Sequence, residues 1–296
     1  MTTTSPARFR HMLRTNRLLA LPGVYDGITA RLSEQRGFNA IYMTGAGTAM
    51  SFGFPDFGLL TMNEMAGRAS VIAQSVAIPL IADADTGYGN ELNVTRTVRD
   101  YERGGVAGLH IEDQVSPKRC GHLDGKEIVP RDEFVSKIRA AVAARRDKDF
   151  FIIARTDARA VAGFDEAIDR ANAALAAGAD MAFVEATESL DEMAAVPQRV
   201  NGPCLLNIVR GGKTPDVNLR DVEDMGYRVA ILPSLLLGAA IEAFDRALAA
   251  LLETNTPPES VNGASLVRDR FRRFGADEWD ALRTRFREQQ RQDAES

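Results

Sequence analysis

Cysteine and histidine are scarce in this chain of 296 residues, and an excess of positive charge is lacking. It has two cysteines and three histidines, and 41 acidic residues outnumber 36 basic ones, for a net charge of −5. Without a basic excess, the sequence predicts no binding to nucleic acid. Cys120 and Cys204 do not make a disulfide framework, so we expect a reducing, cytoplasmic setting.

Long apolar runs are also missing. No run reaches the roughly 18 residues that a membrane-spanning helix needs. The N-terminal stretch up to Gly23 lacks the apolar core of a signal peptide. The sequence therefore predicts no membrane partner.

The chain contains instead a repeat of short apolar segments separated by helical patterns. The eight segments are LLALPGVYD, NAIYMTG, IPLIADAD, AGLHIED, DFFIIARTD, ADMAFVEA, PCLLNIV and YRVAILPS. Such runs are too short for buried helices and are typical of strands that are buried on both faces. Eight strand–helix units predict an α/β fold, the (β/α)8 TIM barrel.

The main alternative is an open, doubly wound sheet. That fold needs the pattern G-x-G-x-x-G after its first strand. The segment TGAGTAM follows the second strand and has only Gly45 and Gly47. The barrel is therefore favoured, and we expect a single barrel domain over residues 1–296 in which residues 239–296 form a C-terminal extension of extra helices.

Polar side chains stand at the ends of the predicted strands, where barrel enzymes carry their active sites. They are Tyr42, Thr44, Asp83, Asp85, Glu112, Asp113, Arg155, Asp157, Glu185 and Asn207, with Asp56 on a nearby loop. Crowded carboxylates raise one another's pKa values unless a cation lies between them. Because these candidate ligands are all oxygen atoms, Asp83, Asp85 and Glu112 predict Mg²⁺ or Mn²⁺ rather than zinc. On a regular strand, Asp83 and Asp85 would face the same side.

Some of these groups also have a purely structural explanation. Asp113 and Asp157 suit salt bridges of the barrel better than a metal site. Arg155 suits a clamp for a substrate carboxylate, although a buried ion pair with a neighbouring strand would use the same charge. His110 could face the barrel interior or be a core histidine, and Cys204 is expected in the core.

The segment SPKRCGH, residues 116–122, contains a cysteine, a histidine and two cations. Zinc would need two further ligands, which no C-x-x-C or H-x-x-H pattern supplies. Lys118, Arg119 and His122 can each stabilise a thiolate, so Cys120 is predicted to be reactive. On a mobile loop after the fourth strand, its thiol could exchange a proton with a substrate.

With these residues in view, the chain resembles the isocitrate lyase/phosphoenolpyruvate mutase superfamily, and within it the 2-methylisocitrate and 2,3-dimethylmalate lyases. The matching segments include YMTGAG, GFPDFG, DADTGYGN, HIEDQVSPKRCGH and ARTDA. The K-R-C-G-H loop is typical of the lyases, and the phosphonomutases resemble this chain elsewhere but lack that cysteine. The resemblance implies a homo-oligomer, a dimer of dimers in which the last barrel helix is exchanged between subunits.

The same resemblance implies the roles of individual residues. It places Mg²⁺ among Asp56, Asp83, Asp85 and Glu112. It places the carboxylate of a small oxo acid on Thr44, Gly45, Ala46 and Arg155, with further substrate contacts from Gly121, Asn207 and Arg210. It makes Cys120 the general acid, with His122 and Glu185 nearby and Tyr42 polarising the alcohol or enolate oxygen.

The implied reaction cleaves the C2–C3 bond of a 2-hydroxy di- or tricarboxylate to pyruvate and a second carboxylate. Tyr42 is expected to be the base, with a carboxylate such as Glu112 acting through water as the alternative. Arg210, and the lack of an arginine shortly after Pro233, depart from the pattern of 2-methylisocitrate lyases. We therefore expect a dicarboxylate of the 2,3-dimethylmalate type, with 2-methylisocitrate cleavage and oxaloacetate hydrolysis as alternatives.

Overall fold

The computed structural model describes residues 4–258 and 267–295, and the side chains of its last helix up to residue 289. The described residues form eight strands: β1 (Leu19–Val24), β2 (Ile41–Met43), β3 (Leu80–Asp83), β4 (Gly108–Glu112), β5 (Phe151–Thr156), β6 (Met181–Val184), β7 (Cys204–Asn207) and β8 (Val229–Leu232). They also form thirteen helices: α1 (Ser5–Thr15), α2 (Gly27–Gln35), α3 (Gly45–Ser51), α4 (Met62–Ser75), α5 (Glu91–Arg103), α6 (Arg131–Ala144), α7 (Ala158–Ala162), α8 (Phe164–Ala176), α9 (Leu190–Arg199), α10 (Leu219–Met225), α11 (Leu235–Thr254), α12 (Val267–Arg273) and α13 (Ala276–Glu295).

The strands close into a parallel barrel in chain order, with β8 returning to pair with β1. Each predicted apolar segment contains one strand, and nearly every strand residue is buried. The predicted (β/α)8 barrel is therefore confirmed, and the open doubly wound sheet is wrong. In a parallel barrel all eight C-terminal strand ends meet at one rim, which is where the polar residues of the sequence lie.

The opposite, N-terminal end of the barrel is closed by an apolar plug. Phe9 of α1 is fully buried and packs edge-to-face on Phe151, the first residue of β5, with ring centroids 5.2 Å apart. It belongs to a buried cluster with Leu19 and Leu21 of β1 and Phe183 of β6. Each such side chain stabilises the fold by roughly 1.5–3 kcal/mol through burial.

The chain divides into two compact units, residues 1–239 and 240–296. In the second unit the apolar side chains of the helices are exposed: Phe244 is 63% exposed, Leu252 83% and Trp279 71%. Leu266, which belongs to the same predicted apolar faces, lies outside the described residues. The exchange of a helix between subunits and the single-domain division stay predictions.

Membrane insertion was not expected from the sequence. Over residues 4–258 and 267–295, no helix combines the length and the apolar character that crossing a bilayer requires.

Two glycine substitutions should change stability in opposite directions. A Cβ atom on Gly108 of β4 would collide with the main chain and side chain of Phe151 on β5, so Gly108→Ala should destabilise the protein by about 1–3 kcal/mol. Gly67 lies inside α4, and no described atom approaches its Cβ position within 4 Å. Gly67→Ala should therefore stabilise it by about 1 kcal/mol.

Thermal unfolding of the two variants and the wild type, followed by calorimetry, measures both effects. A melting temperature of Gly108→Ala at or above that of the wild type would contradict the close pairing of β4 with β5.

Candidate active site

A cavity at the C-terminal rim of the barrel brings together most of the predicted site residues. Its wall includes Tyr42, Thr44, Gly45, Ala46, Asp56, Asp83, Cys120, Gly121, His122, Arg155, Glu185 and Asn207. Asp85 and Glu112 are buried beside this group but do not line the cavity, and Arg210 is exposed and does not line it either. The strands from β2 onward and their loops thus bring residues from many parts of the chain into one small space.

Asp83 and Asp85 occupy different kinds of backbone. Asp83 ends β3, whereas Asp85 lies in the turn that follows, with a φ of 45°. The main-chain N–H of Asp85 donates to Oδ1 of Asp83 at 2.9 Å. The expectation that both residues lie on a regular strand is therefore wrong, and it is the turn that brings their carboxylates together.

Lys118 lies among four acidic residues, Asp56, Asp83, Asp85 and Glu112, which are called the acid group below. Its side chain is 3% exposed, and its Nζ forms an ion pair with Asp56 and another, at 3.1 Å, with Oδ1 of Asp85. Burial alone would lower the pKa of Lys118, but the surrounding carboxylates raise it well above its ordinary value. The lysine therefore carries a full positive charge inside the acid group.

The acid group is nevertheless short of positive charge. Burial raises the pKa of Asp85 to about 6, against the opposing effect of Lys118. Burial likewise raises the pKa of Glu112 well above its ordinary value, although Arg155 opposes the change. Both groups therefore keep their protons to a higher pH than free carboxyl groups do, and another cation nearby would oppose that shift.

These acids have the donor set of a divalent cation site. Oδ1 of Asp85 and both carboxylate oxygens of Glu112 are buried without a hydrogen bond, although Lys118 and Arg155 lie within ion-pair distance. Buried oxygens of this kind suit Mg²⁺ or Mn²⁺. In the part of the chain that the structure describes, however, no three acidic, histidine or cysteine side chains converge closely enough to hold a metal as they stand.

Tyr42 connects the cavity with a fully buried histidine. Its hydroxyl lies 2.9 Å from Nε2 of His110 and 3.4 Å from Oδ2 of Asp83. Burial, and then the charge of Asp83, raise the pKa of Tyr42 well above its ordinary value. Tyr42 therefore carries its proton at neutral pH, which suits a hydrogen-bond donor and does not suit a base. Burial also lowers the pKa of His110, so that ring is neutral.

Arg155 lies beneath the cavity and contacts three acids. Its guanidinium pairs with Asp157 at 2.9 Å, with Glu112 at 3.2 Å and with Glu185 at 3.5 Å. Burial alone would lower the pKa of Arg155, but Asp157, Glu112 and Glu185 raise it well above its ordinary value. Arg155 thus forms the buried ion pairs that were one of its two expected roles, and it also lines the cavity.

Asp113 and Asp157 lie in buried networks, as their structural explanation expects. Asp113 accepts hydrogen bonds from Oγ1 of Thr156 at 2.7 Å and from the main chain of Asp157 at 2.8 Å, and it pairs with Arg170 at 3.1 Å. Asp157 pairs with Arg155 and with Lys126. These contacts join the ends of β4 and β5 behind the cavity.

The loop that carries Cys120 covers one side of the cavity. His122 accepts the main-chain N–H of Lys213 at Nδ1, at 3.0 Å, so its neutral ring carries the proton on Nε2. That atom lies 3.4 Å from Oε1 of Glu185. The amide of Asn207 donates to the same carboxylate at 3.2 Å. Three predicted residues, His122, Glu185 and Asn207, therefore lie together in one polar group, in which Asn207 and His122 both contact the carboxylate of Glu185.

Cys120 is not the stabilised thiolate that its neighbours in sequence predicted. Lys118 faces the acids, and the guanidinium of Arg119 lies over the ring of Phe57, 5.7 Å from its centroid. Burial, followed by the charge of Asp56, raises the pKa of Cys120, although the main-chain N–H of His122 opposes the change. The thiol is therefore protonated at neutral pH, which is the form that an acid requires.

Several residues of the site were missed from the sequence. Val209, Pro233, Ser234 and Leu237 complete the wall of the cavity and make one side of it largely apolar. Lys126 is buried between the loop and β5. For the four wall residues, the only signal in the sequence was their position shortly after a strand end. For Lys126, the surrounding segment DGKE contains no pattern that predicts burial of the lysine.

The comparisons with known proteins agree with this geometry. Residues 9–252 match the family described as phosphoenolpyruvate phosphomutase. A 2,3-dimethylmalate lyase of Eubacterium barkeri is 47% identical over 238 residues, which cover 80% of this chain and 82% of that protein. A 2-methylisocitrate lyase of Aeropyrum pernix is 43% identical over 247 residues, which cover 83% of this chain and 80% of that protein.

A solved structure extends the similarity to three dimensions. The structure of an oxaloacetate acetylhydrolase in complex with the inhibitor 3,3-difluorooxalacetate superposes with a TM-score of 0.89 at 40% sequence identity. The alignment covers 94% of this chain and 96% of the other.

Proposed function

The chain belongs to the phosphoenolpyruvate phosphomutase/isocitrate lyase superfamily, and from that membership we propose that it is a divalent-metal-dependent carbon–carbon lyase. Its proposed substrate is a 2-hydroxy dicarboxylate of the 2,3-dimethylmalate type, which it cleaves to pyruvate and a second carboxylate. The observation that carries the proposal is the position of the Cys120 thiol on the wall of a cavity that is also lined by buried carboxylates and an arginine. The raised pKa of this thiol supports it.

The metal is proposed to bind among the acids. Asp83, Asp85 and Glu112, with Asp56, would hold Mg²⁺ or Mn²⁺, in part through water. When bound, the ion would polarise the oxygen of the oxo acid and stabilise the negative charge that develops there. The unsatisfied buried oxygens of Asp85 and Glu112 support this assignment.

The oxo-acid half of the substrate is proposed to bind at the start of α3. Thr44 caps this helix, and the N–H groups of Gly45 and Ala46 in its first turn have no partner within the helix. Gly45 is required here, because a Cβ atom would collide with the carboxylate of Asp83. The amides and Arg155 would then hold one carboxylate, and the hydroxyl of Tyr42 would donate to the adjacent oxygen.

Cleavage then needs one proton removed and one proton supplied. The proton of the 2-hydroxyl group passes to a carboxylate of the acid group. Our candidate is Glu112 acting through water, since a cation bound beside it would keep this carboxylate ionised. The electron pair of the C2–C3 bond moves onto C3 and is shared with the departing carboxylate. Cys120 delivers its proton to C3, while His122, Asn207 and the main chain of Gly121 hold the departing carboxylate.

The apolar side of the cavity supports a dicarboxylate over a tricarboxylate. Val209, Pro233 and Leu237 line it, and Arg210 does not. The lining cation, Arg155, already faces three acids. A third carboxylate would therefore lose its hydration without gaining a cationic partner, whereas a methyl group would be accommodated.

We also propose the expected assembly, a homo-oligomer built as a dimer of dimers with an exchanged helix. The support within the chain is α11, a helix of 20 residues whose apolar side chains include Phe244, Leu248 and Leu252, all at least 60% exposed. Exposed apolar helix faces such as this one are typical of subunit interfaces.

A substrate panel tests the proposed reaction. With Mg²⁺ present, we expect kcat/KM for 2,3-dimethylmalate to exceed that for 2-methylisocitrate by at least about tenfold, because the third carboxylate lacks a partner. Pyruvate release, coupled to NADH oxidation by lactate dehydrogenase, measures both. Leu237→Arg adds a cation to the apolar wall and should reduce the difference in kcat/KM between 2,3-dimethylmalate and 2-methylisocitrate.

The same panel includes oxaloacetate and phosphonopyruvate. If the fastest reaction is the release of oxalate and acetate from oxaloacetate, the protein is a hydrolase and the lyase proposal is wrong. Lack of turnover of all four compounds would exclude the proposed function.

Replacement of the thiol tests the role of Cys120. We expect Cys120→Ser to lower kcat by about 10²–10⁴-fold, since a serine hydroxyl is a much weaker acid. Binding of oxalate, measured by calorimetry, should remain unchanged. Cys204→Ala is the matched control, because Cys204 is a buried core residue whose thiol is away from the cavity. Unchanged turnover in Cys120→Ser would remove the acid role.

The pH profile provides a second measurement of that role. A general acid acts in its protonated form, so kcat is retained below the pKa of the thiol and falls as the pH rises through it. Because burial raises the pKa of Cys120, this fall should occur at a higher pH than for an exposed cysteine. In Cys120→Ser, the pH profile of the residual activity should lack this fall of kcat at high pH.

Removal of the metal tests the acid group. Dialysis against EDTA should abolish turnover, and Mg²⁺ or Mn²⁺ should restore it. Mn²⁺ affinity, measured by electron paramagnetic resonance, should fall roughly 10–100-fold or more in Asp85→Asn, because a carboxylate of the proposed metal site loses its charge. Asp165→Asn, which alters a carboxylate that is 87% exposed, should bind Mn²⁺ as the wild type does. Equal affinity in both variants would place the metal elsewhere.

A further inference from the structure

The loop of residues 116–126 carries Cys120 but has no helix or strand of its own. A short antiparallel pairing joins its ends: the N–H of Val115 donates to Glu127 at 2.9 Å, and that of Val129 donates to Asp113 at 2.8 Å. Inside the loop, the N–H of Leu123 donates to the carbonyl of Cys120 at 2.9 Å. On the side of Arg119, the amide of Gln114 donates to the carbonyl of Arg119 at 2.8 Å and accepts its main-chain N–H at 3.0 Å. On the side of Gly121, the position of the thiol depends on what the side chains of the loop contact.

Lys126 contacts the loop and the barrel with one atom. Its side chain is 1% exposed, and its Nζ donates to the carbonyl oxygen of Gly121 and, at 3.0 Å, to Oδ1 of Asp157. Asp157 directly follows β5 and is fully buried. The ammonium group thus joins the residue between Cys120 and His122 to a fixed point of the barrel.

Gly121 is also fixed from its other side. A Cβ atom on this residue would collide with Oε1 of Glu185 and Nη2 of Arg155. The main chain of Gly121 therefore lies directly against these two cavity residues. Held between Lys126 and this surface, Gly121 leaves its neighbour Cys120 little freedom to move away from the cavity.

Charge neutralisation alone does not account for Lys126. Asp157 already receives two hydrogen bonds from Arg155, at 2.9 and 3.2 Å. Arg155 also pairs with Glu112 and Glu185, so Lys126 does help to neutralise Asp157. Its contact with the main-chain carbonyl of Gly121, however, neutralises no charge. Burying an ammonium group is costly, so the contact with Gly121 points to a use in the loop.

We propose that Lys126 is a positioning residue, which holds Gly121 against the barrel and so keeps the thiol of Cys120 at the cavity. The inference rests on the proposed function in one respect, that Cys120 is the proton donor. His122 has its own contacts with Lys213 and Glu185, so the effect of Lys126 falls chiefly on Cys120.

Thiol labelling tests this position without any substrate. Lys126→Met keeps the length of the side chain but removes its donor, so the loop should open and Cys120 should react with a maleimide at least about tenfold faster. Cys120→Ser gives the background from buried Cys204. Lys148→Met, which alters an exposed lysine, is the matched control and should be labelled at the wild-type rate.

Lys126→Arg separates positioning from neutralisation and serves also if the methionine variant does not fold. Arginine keeps the charge beside Asp157, but its planar fork cannot place one atom against both acceptors in the same space. Positioning predicts faster labelling in this variant as well. Wild-type labelling rates in folded Lys126→Arg, or in folded Lys126→Met, would overturn the proposal.

Kinetics provide the catalytic readout. In Lys126→Met, kcat should fall roughly 10–100-fold, because displacing a reacting group by about 1 Å can lower the rate by up to about 10²-fold. KM should change less than about threefold, because the oxo-acid half is held by α3 and Arg155. A KM that rises while kcat is kept would contradict the proposal. If the wild type turns over none of the panel, the proposed function fails, while the labelling result on the loop still stands.

Discussion

The structure depends on how it accommodates an excess of buried carboxylates at one rim of the barrel. Six acids lie in or beside the cavity, Asp56, Asp83, Asp85, Glu112, Asp157 and Glu185, and three buried cations face them, Lys118, Lys126 and Arg155. Like charges in a low dielectric cannot all stay ionised without compensation. The raised pKa values of Asp85 and Glu112 express this shortage of positive charge, and a divalent cation is the group that would remove it.

The same shortage organises the loop above the cavity. Two of the three cations, Lys118 and Lys126, come from the loop and reach opposite sides of the rim, one at the acids after β2 and β3 and the other at the acid after β5. The loop is therefore held by ion pairs with the barrel, together with the hydrogen bonds between Gln114 and the main chain of Arg119. Because breaking a buried pair leaves an unpaired charge, these contacts resist opening more than exposed pairs would.

The barrel and the location of its site could be predicted from the sequence, but the partners of the charged groups could not. Strand ends follow from the apolar segments, so Tyr42, Asp83, Glu112 and Asn207 were placed correctly at the rim. Because Lys118 is close to Cys120 in sequence, the sequence predicts that it stabilises the thiolate. Its long side chain instead reaches Asp56 and Asp85, which follow other strands. Asp85 was placed on a strand because its left-handed backbone, with a φ of 45°, has no signal in an aspartate.

The acid excess also decides what the thiol can do. A cysteine beside unpaired cations would ionise and serve as a nucleophile. Here Lys118 and Arg155 are both engaged by acids, and burial together with Asp56 keeps the proton on Cys120. A half-buried, protonated thiol on the wall of this cavity suits the proposed role of proton donor to carbon better than attack on a carbonyl group. The choice between acid and nucleophile thus follows from which side chains neutralise the carboxylates, and not from the residues adjacent to the cysteine in sequence.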